Sequence, residues 1–195
     1  VQRELLKAIK ETGKPIVLLL SNGRPLVLDW EKENIGTIVE CWQLGSEAGN
    51  AIADVLLGKY NPSGKLTMSF PYNEGQIPVY YNAKSTGRPY VPNVRYVTRY
   101  LDCPNTPLYS FGYGLSYTRF EYGELKLDKN TMVPGEKLRI DVSVANVGNY
   151  DGEETVQLYI RDVCSKITRP EKELKGFKKV FLKKGERTDI SFELS

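Results

Sequence analysis

Five acidic side chains in the first part of the chain are of the type that does acid–base or nucleophilic work: Asp29, Glu40, Glu47, Asp54 and Asp102. Hydrolysis by two carboxylates needs them about 5–5.5 Å apart when one attacks directly, and farther apart when a water stands between them. Linear spacing pairs no two of these five. Glu47 is the most tempting. It sits in the glycine-flanked stretch Gly45-Ser46-Glu47-Ala48-Gly49 after a strand-like run, and open α/β sheets place their sites beyond the carboxyl ends of strands. A glutamate opening a helix also has a purely structural reason, the positive end of the helix dipole.

The chain has no histidine, which removes Ser-His-Asp and Cys-His catalysis and histidine-ligated zinc. Cys41, Cys103 and Cys164 are odd in number and widely spaced. They give neither a disulfide framework nor paired metal-ligand spacing, and they read as plain thiols, buried or partly buried. No metal and no cofactor is called for. Asn22-Gly23 and Asn61-Pro62-Ser63-Gly64 lack the length and the lysine-serine ending of a phosphate loop. The basic cluster Lys172, Lys175, Lys178, Lys179, Lys183, Lys184 and Arg187 is interleaved with Glu171, Glu173 and Glu186, as expected of a solvated strand face. With a net charge of only +3, no nucleic-acid partner is implied. No apolar run approaches the roughly 18 residues of a membrane span, and no membrane partner is expected. The chain starts without methionine, directly in a helical pattern, as a trimmed piece would.

The elements that must position these residues follow from periodicity. Gln2 to Glu11 carries Leu5, Leu6 and Ile9 on one face and stops at Thr12-Gly13-Lys14-Pro15, a helix and its end. Ile16 to Leu20 is wholly apolar, the signature of a strand buried on both faces. Ser21 to Pro25 is a turn, Leu26 to Leu28 a short apolar return, and Ile35 to Trp42 a second buried strand. Ser46 is placed to cap a helix whose stripe is Ala48, Ala51, Ile52, Val55 and Leu56, with Gly58 at the left-handed stop. Asn61-Pro62-Ser63-Gly64 reads as a type I turn leading to a strand over Leu66 to Phe70. Helix, strand, strand, helix argues for a parallel or mixed sheet with helices on its faces. About three strands is fewer than a free-standing doubly wound sheet usually has, so this is either a small α/β domain or half of a larger one.

From Tyr72 to Tyr117 tyrosine, proline, glycine and asparagine dominate. So long a stretch without periodicity is uncommon unless it is functional or disordered, and its aromatic load argues against disorder. It is either a carbohydrate-facing aromatic wall or a linker laid across the surface of the α/β part.

From Phe120 the period is two. Leu138, Ile140, Val142 and Val144, then Val156, Leu158 and Ile160, then Ile190, Phe192 and Leu194 alternate with polar neighbours, giving half-buried strands. Strands are expected near 120–127, 138–146, 155–162, 174–182 and 188–194, in a β-sandwich of immunoglobulin or fibronectin type. The expected fold is thus α/β followed by all-β: a partial α/β sandwich over 1–71, an aromatic linker over 72–117 and a β-sandwich over 118–195.

Several long motifs in this order carry a resemblance. Lys14-Pro15-Ile16-Val17-Leu18, Asn22-Gly23-Arg24-Pro25-Leu26, Trp42 with Gly45 through Leu56, and Asn61 through Leu66 resemble the C-terminal α/β-sandwich domain of family 3 glycoside hydrolases, the β-glucosidase and β-xylosidase group. Pro107 through Tyr117 is similar to that family's junction into its fibronectin III-like domain. Val156 through Asp162 and Arg169 through Phe177 are similar to the core of that domain. Pro78-Val79-Tyr80-Tyr81-Asn82 with Gly87-Arg88-Pro89-Tyr90 resembles the bacterial β-glucosidase branch.

The resemblance implies part of a retaining, exo-acting β-glycosidase, acting on oligosaccharides or aryl β-glycosides. In that family the nucleophilic aspartate comes from an N-terminal (β/α)8 barrel, and the acid/base glutamate from a segment ahead of the one matching Val1. No catalytic residue carries over to this chain, Glu47 included, and no substrate-binding residue is assigned. The implied role is to support and complete the barrel's active site, with no activity alone. The alternative is a stand-alone carbohydrate-binding or structural module. The resemblance favours a periplasmic or secreted setting, although free cysteines neither require nor exclude one.

Overall fold

A computed structural model describes residues 1–195. Helix α1 spans Gln2–Glu11 and ends where Gly13 takes a φ of 69°, a left-handed conformation that suits a residue without a Cβ. Strand β1 (Val17–Leu20) and strand β2 (Thr37–Glu40) pair in parallel, Val17 opposite Thr37 and Leu20 opposite Glu40. Between them lies a helix the sequence pattern did not announce, α2 (Asp29–Asn34). It is too short to show a period, and it is tied to α1 by Arg3, which bonds both Asp29 and the buried Glu31. Helix α3 covers Ala48–Leu56, and Gly58 follows with a φ of 72°.

Several local expectations give way here. β1 is not buried on both faces: Val17 and Leu19 are exposed, while Leu18 and Leu20 are half-buried. A sheet of only two strands has no layer on one side. Neither α1 nor α3 contains a buried residue: Leu5 and Ile9 of α1 and Leu56 of α3 are exposed, while Leu6, Ala48, Ile52 and Val55 are half-buried. Ser46 does not cap α3; Glu47 holds the N-cap position and no side chain caps the helix.

Asn61 to Gly64 runs without a turn, because the Asn61 side chain is drawn away to partners far along the chain. Leu66–Phe70 is not a strand. It runs against residues 108–113 through separate bonds, Leu66 N to Tyr113 O, Gly112 N to Leu66 O, and the single Phe70–Tyr109 bridge. The Ser69 hydroxyl takes the amide of Phe111, which breaks any ladder.

The stretch from Tyr72 onward holds one short 3-10 turn, Glu74–Gln76, and a cis Ile77–Pro78 bond. Gln76 is buried and acts as its pin: it accepts from Tyr72 N and donates to the carbonyls of Pro104 and Thr106. Leu28, Phe70 and Leu108 form a small core with Trp42, Leu66 and Tyr109 around it, so the far end of this stretch packs on the α/β part.

The remaining strands are β3 (Phe120–Tyr122), β4 (Lys126–Leu127), β5 (Leu138–Asn146), β6 (Gly152–Ile160), β7 (Glu173–Leu182) and β8 (Arg187–Leu194). The single strand expected over 120–127 is therefore two. The break falls at Gly123, whose backbone lies so close to the Ser143 side chain that a Cβ would overlap it. In one sheet β3 and β4 both pair with β5, antiparallel, while β8 pairs with its other edge. In the other, β6 and β7 pair antiparallel with a register shift at Leu158/Tyr159. Ile140 and Val144 of β5, Val156 of β6, Leu182 of β7, and Ile190 and Phe192 of β8 meet in one core, so the two sheets share it. Alternation placed all of these inward except Leu182, and the other residues it placed there, Leu138, Val142, Leu158 and Leu194, pack half-buried against the cluster. Asn146 is buried beside them, donating to the Tyr150 and Leu182 carbonyls and accepting from Thr118 Oγ1.

Candidate functional site

Two places gather polar chemistry. The first is the carboxyl end of β1 and β2. Glu40 ends β2 with its Oε1 accepting from Trp42 N at 2.8 Å, while its Oε2 is buried without a partner. Burial pushes this carboxyl above the usual range, against the opposing pull of the Trp42 amide and the Asn22 side chain. Trp42 has a φ of 50°, rare for a bulky residue, and its carbonyl accepts from Ser21 Oγ at 3.2 Å.

The second is the seam between the α/β part and the β-strands, built by Asn61-Pro62-Ser63-Gly64-Lys65. Asn61 Nδ2 donates to Asp151 O, and its Oδ1 accepts from Ser116 Oγ and Tyr117 N. Tyr60 OH and Ser63 Oγ both donate to Glu153 Oε2, at 2.9 and 3.1 Å, and Lys179 joins the same oxygen at 2.7 Å. Lys179 first, then Tyr60, hold the Glu153 carboxyl below the ordinary carboxylate range. Lys65 Nζ donates to Gly114 O and to Glu154 Oε2, each at 3.1 Å, and Tyr122 OH closes Glu154 Oε1 at 2.9 Å. Burial and then this carboxylate push the Tyr122 phenol well up, so it stays a donor.

Beside this seam opens a cleft of about 360 Å³ whose walls include Lys65, Phe111, Tyr113, Glu154, Tyr159 and Lys172. Tyr81 stacks on Phe111 with centroids 4.2 Å apart and meets Tyr159 edge-on, while Lys172 lies over the Tyr159 ring. Gln157 Nε2 donates to Gly112 O and Tyr159 OH donates to Gln157 Oε1. The polar groups here are spent on one another, and both Glu154 oxygens are engaged, so the cleft offers no free base.

The acidic residues singled out from sequence are not gathered together. Glu47 is exposed and accepts from Asn50 Nδ2 at 2.5 Å. Asp29 pairs with Arg3 at 3.3 Å, and Asp54 with Lys59 at 3.6 Å. Asp102 is exposed in the aromatic stretch. No three His, Cys, Asp or Glu side chains meet in a metal-like group. All three cysteines are free thiols, but Cys164 is exposed, contrary to the expectation of burial. Much of the aromatic stretch is open to solvent too, with Tyr80 67% and Tyr96 83% exposed. Glu31, Glu153, Glu154 and Lys65 escaped the sequence reading. One signal was available for Glu154: at a two-residue spacing it shares the inward face of Val156 and Leu158, where a carboxylate must find a partner.

The family model described as "Glycosyl hydrolase family 3 C-terminal domain" matches residues 1–117. The chain belongs to glycoside hydrolase family 3. A model for a "Fibronectin type III-like domain" matches residues 154–195 of this family 3 chain. It is 52% identical over 195 residues to a periplasmic β-glucosidase of Salmonella typhimurium, covering 99% of the chain and 26% of that relative. It is 45% identical over 194 residues to a β-xylosidase of Formosa agariphila, covering 100% of the chain and 26% of that relative. The crystal structure of a β-glucosidase from Listeria innocua in complex with isofagomine superimposes with a TM-score of 0.94 at 47% identity, covering 100% of the chain and 27% of that structure. The chain thus spans about a quarter of the length of the relatives it matches. No helix is long and apolar enough to cross a membrane.

Proposed function

We propose that this family 3 chain is the supporting part of a retaining, exo-acting β-glycosidase, most simply a β-glucosidase, that hydrolyses oligosaccharides or aryl β-glycosides. The observation that carries this is the 52% identity to a periplasmic β-glucosidase of which the chain spans only 26%. The chemistry then lies in the remainder, an N-terminal (β/α)8 barrel that supplies the nucleophile. This chain contributes no catalytic residue; it completes the site by its α/β part, 1–71. The segment 72–117 serves as an aromatic linker and 118–195 as a fibronectin III-like β-sandwich. Two features support the reading. Val17 and Leu19 of the two-stranded parallel sheet, Leu5 and Ile9 of α1 and Leu56 of α3 are exposed, as surfaces awaiting further chain are. Glu47, Asp29 and Asp54 are each taken up by local partners.

Incubating the isolated chain with an aryl β-glucoside tests this: no turnover is expected, and turnover abolished by substituting any of its own carboxylates overturns it. The exposed tyrosines Tyr80, Tyr90, Tyr96 and Tyr100 favour a second reading, a carbohydrate-binding module. Titration calorimetry with cello- and xylo-oligosaccharides separates the two, since only the module reading requires saturable binding by this chain alone.

A further inference from the structure

The cleft of about 360 Å³ beside the seam is charged in one sense. Lys65, Lys172 and Glu154 are the ionised side chains on its walls, two cations against one anion. We propose that this cleft binds a sugar acid, a single pyranose ring bearing a carboxylate, with Lys172 as the counter-ion of that carboxylate. The inference is independent of the function proposed above.

Lys65 and Glu154 neutralise each other at 3.1 Å. Lys172 is left over. The carboxylates beside it in sequence are taken by other cations: Glu171 by Arg161 at 2.9 Å, and Glu173 by Lys175 at 2.6 Å and Arg169 at 3.4 Å. The Lys172 ammonium lies instead over the Tyr159 ring, 5.4 Å from its centroid. A ring face attracts a cation and fixes its position, but it does not neutralise it. The cleft therefore keeps one positive charge that nothing in the chain answers.

Hydrogen-bonding capacity has the same sense. The side-chain acceptors able to bind most strongly already hold donors: Glu154 Oε1 that of Tyr122, Glu154 Oε2 that of Lys65, and Gln157 Oε1 that of Tyr159. The Gly112 carbonyl is taken by Gln157 Nε2 at 3.0 Å. Among the groups still available are the Lys172 ammonium, the second amide hydrogen of Gln157, and the hydroxyls of Ser110, Tyr113 and Thr155. Such a set suits a ligand that brings acceptors and a negative charge, and hydrogen bonds to an ionised acceptor are the strong ones.

The rest of the wall selects a ring. Phe111, Tyr113 and Tyr159 supply aromatic surface, and each is braced. Tyr81 stacks on Phe111 at 4.2 Å and meets Tyr159 edge-on at 6.4 Å, while Tyr109 stacks on Tyr113 at 5.4 Å. An aromatic body with a polar tip matches a pyranose, which has C–H faces and a hydroxyl rim. Side chains already held in place lose little freedom when a ligand arrives. The volume lies at the small end of the roughly 300–1,000 Å³ of ligand sites, which suits one ring rather than a chain. Its position where two domains meet is also one that ligand sites favour.

The test is an NMR titration of the ¹⁵N-labelled chain with sodium glucuronate at millimolar concentration, with glucose and sodium acetate as controls. The result expected is saturable shifts at the amides of Ser110 to Tyr113 and of Lys172. Glucose and acetate should each bind at least about tenfold more weakly, the factor carried by one charge-assisted hydrogen bond. Lys172→Gln should weaken glucuronate by a similar factor and leave glucose unchanged. Shifts that do not saturate, that fall elsewhere on the chain, or that Lys172→Gln leaves as they were overturn the proposal. Acetate binding as tightly as glucuronate also overturns it, since an anion alone would then be read, and so does glucose binding as tightly. Should Lys172→Gln fail to fold, the comparison of glucuronate with glucose and acetate on the wild-type chain still decides.

Discussion

Lys65 and Glu154 stand 89 residues apart in the chain and 3.1 Å apart in the structure, with their side chains only 16% and 11% exposed. This buried ion pair joins the α/β part to the head of β6, and Tyr122 and the Gly114 carbonyl complete its hydrogen bonds. Removing one partner strands a charge in a low-dielectric site. Lys65→Met is therefore expected to cost about 3–5 kcal/mol in urea unfolding. The double variant Lys65→Met, Glu154→Leu removes both charges and is expected to recover a large part of that loss. If the two single losses simply add in the double variant, the pair does not act as a unit.

The seam is also close-packed in its backbone. A Cβ on Gly114 would collide with the Gly64 carbonyl oxygen, and backbone cannot swing aside as a side chain does. Gly114→Ala is expected to destabilise by about 1–3 kcal/mol, as overpacking typically does. Gly36 has open space around its Cβ position, so Gly36→Ala should change stability by no more than about 1 kcal/mol in either direction. Paired thermal melts of the two variants check the difference; equal effects would mean that the segments around Gly64 and Gly114 do not approach as described.

The carboxylate of Glu153 gives the seam a pH dependence of definite sign. Lys179, then Tyr60, hold its folded-state pKa below the ordinary 4.5. A carboxyl lowered by folding stabilises above its unfolded value, and that stabilisation is lost as pH falls through the folded value. Tm should therefore fall on acidification below about pH 4.5, and Glu153→Gln should shallow that slope. Asp141, lowered by Ser191 and Arg139, keeps part of the slope in the variant. An unchanged acid limb in Glu153→Gln would show that this contact carries no linkage.

Regular elements were legible in the sequence because their signals are local. The three- and four-residue spacing of Leu5, Leu6 and Ile9 is present in α1, and the two-residue alternation of Ile140 with Val144 and of Ile190 with Phe192 marks the shared core. Irregular segments were not legible, for a physical reason. Asn61-Pro62-Ser63-Gly64 has the composition of a turn, but that preference is weak against the bonds Asn61 makes to Ser116, Tyr117 and Asp151. Leu66–Phe70 has strand residues, yet its partner segment over 108–113 is irregular and only the Phe70–Tyr109 bridge forms. The apolar run of β1 has the composition of a buried strand, yet Val17 and Leu19 are exposed, because burial depends on a covering layer that a local run of residues does not specify.

By itself the sequence determined the family, through long motifs in a set order, and the type and place of the periodic elements. It excluded histidine-based chemistry outright. Only the tertiary structure decided which charged residues matter to one another. Lys65 with Glu154, and Tyr60 and Ser63 with Glu153, are pairings across 89 to 93 residues of chain. Hydrogen bonds and desolvation act over a few ångströms, so a linear pattern carries no record of them until folding closes the distance.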